Sequence, residues 1–100
     1  MLDAIPDMTA ILALNDAMAI GALAELHHRG ITVPDRMSLT GFDDIPTASD
    51  VSRALTTVRV PMAYMGAEAV RLTLKPRRSR PRRRRLRSAV IERASTGRPG

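Results

Sequence analysis

Two apolar runs, each broken off by a pair of short polar residues, constrain what this chain can fold into. Thr9 to Leu14 (TAILAL) suits a buried strand and stops at Asn15-Asp16; Met37 to Phe42 (MSLTGF) reads as a second strand and stops at Asp43-Asp44. Between them, Ala17 to Arg29 favours helix, with Ala19, Ala22, Leu23 and Leu26 on one face. The short polar side chains at 15 and 16 are suited to capping that helix, and Gly30 supplies the left-handed residue expected just past its end. Pro34-Asp35 marks the turn into the second strand. Pro46 to Arg53 reads as a short irregular or helical stretch and Leu55 to Val60 as a third strand. Pro61 sits where proline is best tolerated, in the first turn of a helix running to about Leu74. Met62, Met65, Ala69 and Leu72 form its predicted buried stripe, and Ser88 to Ile91 is a candidate closing strand.

Strands alternating with helices predict an α/β fold, a parallel sheet flanked by helices with right-handed crossovers. Ligands of such sheets gather at the carboxyl ends of the strands. The polar residues predicted there are Asn15, Asp16, Asp43, Asp44 and Arg59, and their convergence defines the candidate binding site. Asn15-Asp16 has two compatible readings, a helix cap and a pair of ligand-binding side chains. The adjacent carboxylates of Asp43 and Asp44 repel, so at least one is expected to meet a ligand, a cap or water; a solvated Asx turn is the competing reading. A phosphoacceptor or metal site would need further lysine or acid partners, and no such constellation is evident. His27-His28 lies where positive charge complements the helix dipole, and adjacent helical residues point roughly 100° apart, which suits shared metal ligation poorly. No metal, no cofactor and no catalysis are expected.

One hundred residues allow one small domain, and with Phe42 and Tyr64 the only aromatics its core must be aliphatic. The absence of cysteine excludes disulfide scaffolds and thiolate metal sites. The opening MLDAIPDM has two acids and a proline where a secretory signal needs basic and apolar residues, and no apolar run approaches the roughly 20 residues that span a bilayer. A soluble, cytoplasmic chain is expected, with no membrane partner.

The net charge of +6 is unevenly distributed. Nine of the sixteen basic residues lie between Lys75 and Arg87, with no acid among them. The rest holds seven basic and ten acidic residues, so a mildly acidic domain of about −3 carries one very basic segment. Repulsion and two prolines predict a solvated linker there. Arginine clusters also bind phosphate backbones, so a nucleic-acid-binding role through Arg77 to Arg87 stands as an alternative. Against it, the segment has neither a neighbouring aromatic for base stacking nor helical spacing for a groove.

The phrases "ND-x-M-A-x-G-A" (Asn15 to Ala22), "G-x-x-V-P-x-x-x-S-x-x-G-F-D-D" (Gly30 to Asp44), "L-T-T-V-R-x-P" (Leu55 to Pro61) and "RASTGRP" (Arg93 to Pro99) occur in one order along almost the whole chain. Together they resemble the second lobe of the sensor domain of LacI/GalR-type transcriptional regulators. The resemblance implies part of one lobe of a periplasmic-binding-protein-like fold, with residues 1–75 as a partial effector-sensing lobe, 76–87 as a basic disordered linker, and 88–100 as the strand and tail closing the same lobe. It implies a non-enzymatic, DNA-binding transcription regulator that senses a sugar or related polar metabolite, of which this chain would be a portion without the N-terminal helix-turn-helix. Asn15 matches the family's asparagine that contacts effector hydroxyls, and Asp43 the aspartate that anchors the sugar or purine. Asp16 matches a mainly structural residue; Asp44 and Arg59 are supporting residues. Met18, Ile20, Ala22 and Val51 match regions where protomers pair into a homodimer. Val60 stands where a polar side chain is common, which leaves the ligand class open, and the arginine run replaces a Pro-rich loop of mixed charge. A periplasmic sugar-binding protein, which shares the fold, is a further alternative.

Overall fold

A computed structural model describes residues 3–77 and 80–99. Residues 78 and 79, inside the expected linker, and the extreme termini lie outside the described residues.

The first apolar run forms strand β1 (Ala10–Leu12) and the second β2 (Ser38–Thr40). They pair in parallel, Ile11 opposite Leu39. Both are shorter than predicted, yet their hydrogen bonds extend the contact. Ser38 N donates to Thr9 O at 2.8 Å, Ala13 N to Thr40 O at 2.9 Å and Asp16 N to Phe42 O at 2.9 Å. The two chains therefore stay side by side up to the polar pairs that end them. β3 (Thr57–Arg59) lies on the other side of β2, joined by parallel bridges Thr40–Thr56 and Asp43–Arg59. β4 (Ala89–Ile91) adds to β3 antiparallel, Val90 opposite Val58. The order β1-β2-β3-β4 is thus parallel across its first three members and antiparallel at its last edge.

Helix α1 (Asp16–His28) connects β1 to β2. Asn15 caps it, its Oδ1 accepting from Met18 N at 2.8 Å, and Gly30 takes the expected left-handed conformation (φ 70°) after it. Its predicted face is the one that packs: Ala19, Leu23 and Leu26 join Val33, Met37, Leu39, Ala48 and Leu55 in an aliphatic core, with Ala22 half-buried at its margin. Ala48 comes from a single 3-10 turn, Pro46–Ser49, the structured part of the irregular stretch.

The C-terminal segment completes the core rather than trailing from it. Ser95 is fully buried; its N–H donates to Ala54 O at 3.0 Å, and its carbonyl accepts from Leu39 N at 2.9 Å. Its Oγ donates to Leu39 O at 2.5 Å and accepts from Thr56 N at 2.9 Å. Ser95 thereby ties β2 to the approach to β3 from a position late in the chain.

Helix α2 (Met62–Leu74) departs from expectation. Pro61 stands just before it as the N-cap residue, one step outside the predicted first turn. Of the stripe Met62, Met65, Ala69 and Leu72, the first three are exposed and Leu72 is half-buried, whereas the buried residue is Glu68. The reason is geometric. α2 leaves the sheet beyond β3 and does not lie across its face, so the apolar stripe has no facing layer among the described residues. Amphipathic spacing identifies which side of a helix is apolar but not what stands opposite it.

Candidate functional site

Asn15 and Asp43 sit on either side of one hydrogen bond, since Asp16 N donates to Phe42 O and the two residues are the immediate neighbours of those partners. They therefore lie together at the carboxyl ends of adjacent parallel strands, as predicted. Asn15 uses its carbonyl oxygen as the helix cap, which leaves its amide NH2 as the donor facing other partners. Asp43 is half-buried, and among the described residues no side chain or backbone group hydrogen-bonds or ion-pairs with its carboxylate. Its backbone is strained: φ is 104° at Asp43 and 58° at Asp44, conformations that non-glycine residues rarely adopt.

What holds that strained pair is the network beneath it. Asp16 is fully buried; Oδ1 accepts from Thr57 Oγ1 at 2.7 Å and Oδ2 from Ile45 N at 2.8 Å. Thr57 Oγ1 in turn accepts from Asp44 N at 3.3 Å. The Asp44 carboxylate bridges two guanidiniums, Arg59 Nε at 2.7 Å and Arg93 Nη1 at 2.8 Å. Asp43 N donates to Val58 O at 2.9 Å. Asp44 is thus locked against arginines and not left to solvent, so the solvated Asx-turn reading does not describe it. Gly41 completes the arrangement. A Cβ there would stand 2.1 Å from Asp16 Oδ1 and 3.0 Å from its Cα, so only glycine lets β2 pass this close to the buried carboxylate.

Thr57 and Arg93 were not singled out by sequence reasoning. Nothing in local spacing links Thr57 to Asp16 across 41 positions, and Arg93 reaches Asp44 only because the C-terminal segment returns beside β3. Arg93 first, and then Arg59, hold the Asp44 carboxyl below its usual range, against the opposing effect of burial. The folded chain therefore binds that proton less readily than the unfolded chain. The stability this contributes is complete above the ordinary carboxylate range and is lost as pH falls through the lowered folded value. Chemical denaturation between about pH 5 and pH 2 should show Asp44→Asn with a flatter acid-side loss than the parent chain. Identical slopes would mean that the arginines do not stabilise the charged form.

A family described as "Periplasmic binding protein-like domain" matches residues 1–96. The HTH-type transcriptional regulator GalS of Salmonella typhimurium is 49% identical over 67 residues, which is 67% of this chain and 20% of that protein. A LacI-type transcription regulator from Bifidobacterium animalis superposes with a TM-score of 0.84 at 35% identity, covering 97% of this chain and 36% of that one. The transcriptional regulator CelR in complex with cellobiose gives 0.83 at 32% identity, covering 94% and 30%. The chain belongs to the periplasmic-binding-protein-like sensor family of LacI/GalR-type regulators. It spans about a fifth of GalS and about a third of the solved regulators.

Of the residues expected at a LacI/GalR protomer contact, Met18 is exposed, whereas Ile20, Ala22 and Val51 are half-buried against the core of their own chain. The described residues also enclose a separate cavity of about 440 Å³, lined by Leu23, His27, Ile31, Val33 and Arg53 among others. It adjoins the C-terminal end of α1, whereas Asn15 and Asp43 stand at the N-terminal end. Its lining is mainly aliphatic and brings no carboxylate into it. The polar chemistry and the strained backbone favour the strand ends. No helix among the described residues is long and apolar enough to cross a membrane.

Proposed function

We propose that the strand ends at Asn15 and Asp43 form part of one wall of a cleft that binds a small polyhydroxylated effector, such as a sugar, in a LacI/GalR-type regulator. The observation that carries this reading is the Asp43 carboxylate, unpaired among the described residues and fixed at positive φ, beside an asparagine whose NH2 has no partner among them. A carboxylate accepts from two neighbouring hydroxyls and an amide NH2 donates to a third oxygen, which is the pairing a sugar edge presents. Asp16, Asp44, Thr57, Arg59 and Arg93 position the pair without needing to touch the effector. The cellobiose complex of CelR supports a sugar as the ligand class. Relatives described as HTH-type regulators favour a cytoplasmic, non-enzymatic regulator over a periplasmic solute-binding protein.

In the whole regulator, an effector held between two lobes favours one lobe arrangement and so changes DNA affinity. DNA would be read by the helix-turn-helix of the complete protein, acting as a homodimer paired through surfaces that include Met18, Ile20, Ala22 and Val51.

Amide chemical shifts of the 100-residue chain, titrated with mono- and disaccharides including cellobiose, test the site. With only part of a cleft present, a dissociation constant of about 1 mM or weaker is expected, with shifts centred on Asn15, Phe42 and Asp43 and abolished by Asp43→Ala. A response confined to Leu23, His27 and Arg53, or one that survives Asp43→Ala, would overturn the assignment.

A further inference from the structure

The arginine segment forms no helix or strand among its described residues, yet it folds back on α2. Arg84 Nε lies 3.6 Å from Glu68 Oε2, and Arg84 Nη2 donates to Tyr64 Oη at 3.2 Å. Arg71 closes the same carboxylate from within the helix, with Nε at 3.0 Å and Nη2 at 3.1 Å. Arg82 donates to the Pro76 carbonyl, which turns the segment back towards the helix end. The fold thus brings one of the chain's two aromatics, distant in sequence, into contact with the basic segment. Between the helix and the returning segment runs a trough of about 610 Å³, lined by Glu68, Arg71, Lys75, Arg82, Arg83 and Arg84. A second recess of about 360 Å³ adjoins it, sharing Lys75 and Arg82 and adding Arg77 and Arg80.

The charges of this trough are unequal in availability. Glu68 is the one acid of its lining and is occupied by Arg71 and Arg84. Lys75, Arg82 and Arg83 have no carboxylate within ion-pair distance among the described residues. Glu68 therefore acts as a clasp that draws the segment onto the helix, at the expense of two guanidiniums. The remaining cations line the trough and the recess that adjoins it. Several cations spread over two adjoining hollows match a polymer with repeated phosphates better than a compact small anion.

We propose that the trough between the C-terminal half of α2 and the segment from Arg80 to Arg84 is a contact site for the phosphate backbone of duplex DNA, independent of base sequence. The proposal needs neither an effector nor a second lobe, so it stands or falls separately from the sensor reading. It differs from a free polycationic tail in one respect, that the cations are positioned in advance and less ordering entropy is lost on binding.

Anisotropy of a labelled duplex of about 20 base pairs, titrated with the whole 100-residue chain over a salt series, provides the test. If about five phosphates are neutralised, log K should fall with log salt at a slope near −4.5, and Arg82→Ser with Arg83→Ser should reduce that slope by about 2. The deciding variant is Glu68→Gln, which adds one positive charge to the chain while opening the clasp. A free polycation would then bind more tightly, whereas a positioned trough should bind about fivefold more weakly. Tyr64→Phe, which leaves the charge unchanged, should weaken binding in the same direction by a smaller factor, and circular dichroism reports whether α2 persists in each variant. Equal or tighter binding by Glu68→Gln with α2 intact overturns the proposal. So does a strong preference for one duplex sequence over its scrambled counterpart, or displacement of DNA by inorganic tripolyphosphate at equimolar phosphate, which would assign the trough to a small anion.

Discussion

Replacing Asp16 by alanine should unfold most of the chain at room temperature. The fully buried carboxylate accepts two hydrogen bonds, from Thr57 Oγ1 at 2.7 Å and Ile45 N at 2.8 Å. Hydrogen bonds to a charged acceptor contribute about 1.5–3 kcal/mol each, and losing both leaves the Thr57 hydroxyl proton and the Ile45 amide without their acceptor. The expected destabilisation of about 3–5 kcal/mol is comparable with the whole stability of a small domain, about 5 kcal/mol or a little more. Urea denaturation would read it as a lower midpoint at unchanged slope. Gly41→Ala supplies an internal control. Alone it drives a Cβ to 2.1 Å from Asp16 Oδ1, but in the Asp16→Ala background that oxygen is gone. The double variant should therefore lose less than the sum of the two single losses. Additive losses would show that Gly41 and the carboxylate are not packed as described.

Ser95→Ala should produce the second large effect, from a residue far outside the sheet's first three strands. Its hydroxyl donates to Leu39 O and accepts from Thr56 N, and its side chain is fully buried. Removing it strands both backbone groups inside the protein, at about 2–3 kcal/mol. The Thr56 amide gives a local readout. Hydrogen exchange there should accelerate more than at Leu26, which is held by the core without help from the closing segment. Uniform acceleration at both sites would mean that the C-terminal segment is not a separate tie between β2 and β3.

The strand–helix–strand unit from Thr9 to Phe42 was legible because each of its signals is local. Apolar runs, a capping asparagine, an i, i+3, i+4 face and a left-handed glycine all act within a few residues. The same locality placed Asn15 and Asp43 at adjacent strand ends, since both terminate strands that pair in parallel. The supporting shell was only partly legible. Asp16 and Asp44 could be named as polar residues at strand ends, but their partners Thr57 and Arg93 belong to segments that meet only in the folded chain.

The buried stripe assigned to α2 fails for a related reason. Its apolar periodicity is present, but Met62 and Met65 remain 44% and 45% exposed because no layer of the described chain stands opposite them. Likewise, the basic segment forms no helix or strand among its described residues, and nothing in its local pattern signals that Arg84 meets Glu68 and Tyr64. Sequence by itself determined the α/β alternation, the aliphatic core of α1 and β2, the family resemblance and the two residues at the strand ends, all of which depend on short-range pattern. Tertiary structure alone decided that Asp16 is clamped by Thr57, that Asp44 is shared by two arginines, that Ser95 bridges two strands, and that Glu68 clasps the arginine segment. These are pairings of single polar groups across long stretches of chain. A polar side chain has the same donors and acceptors wherever it lies, and only the folded path selects which of them meet.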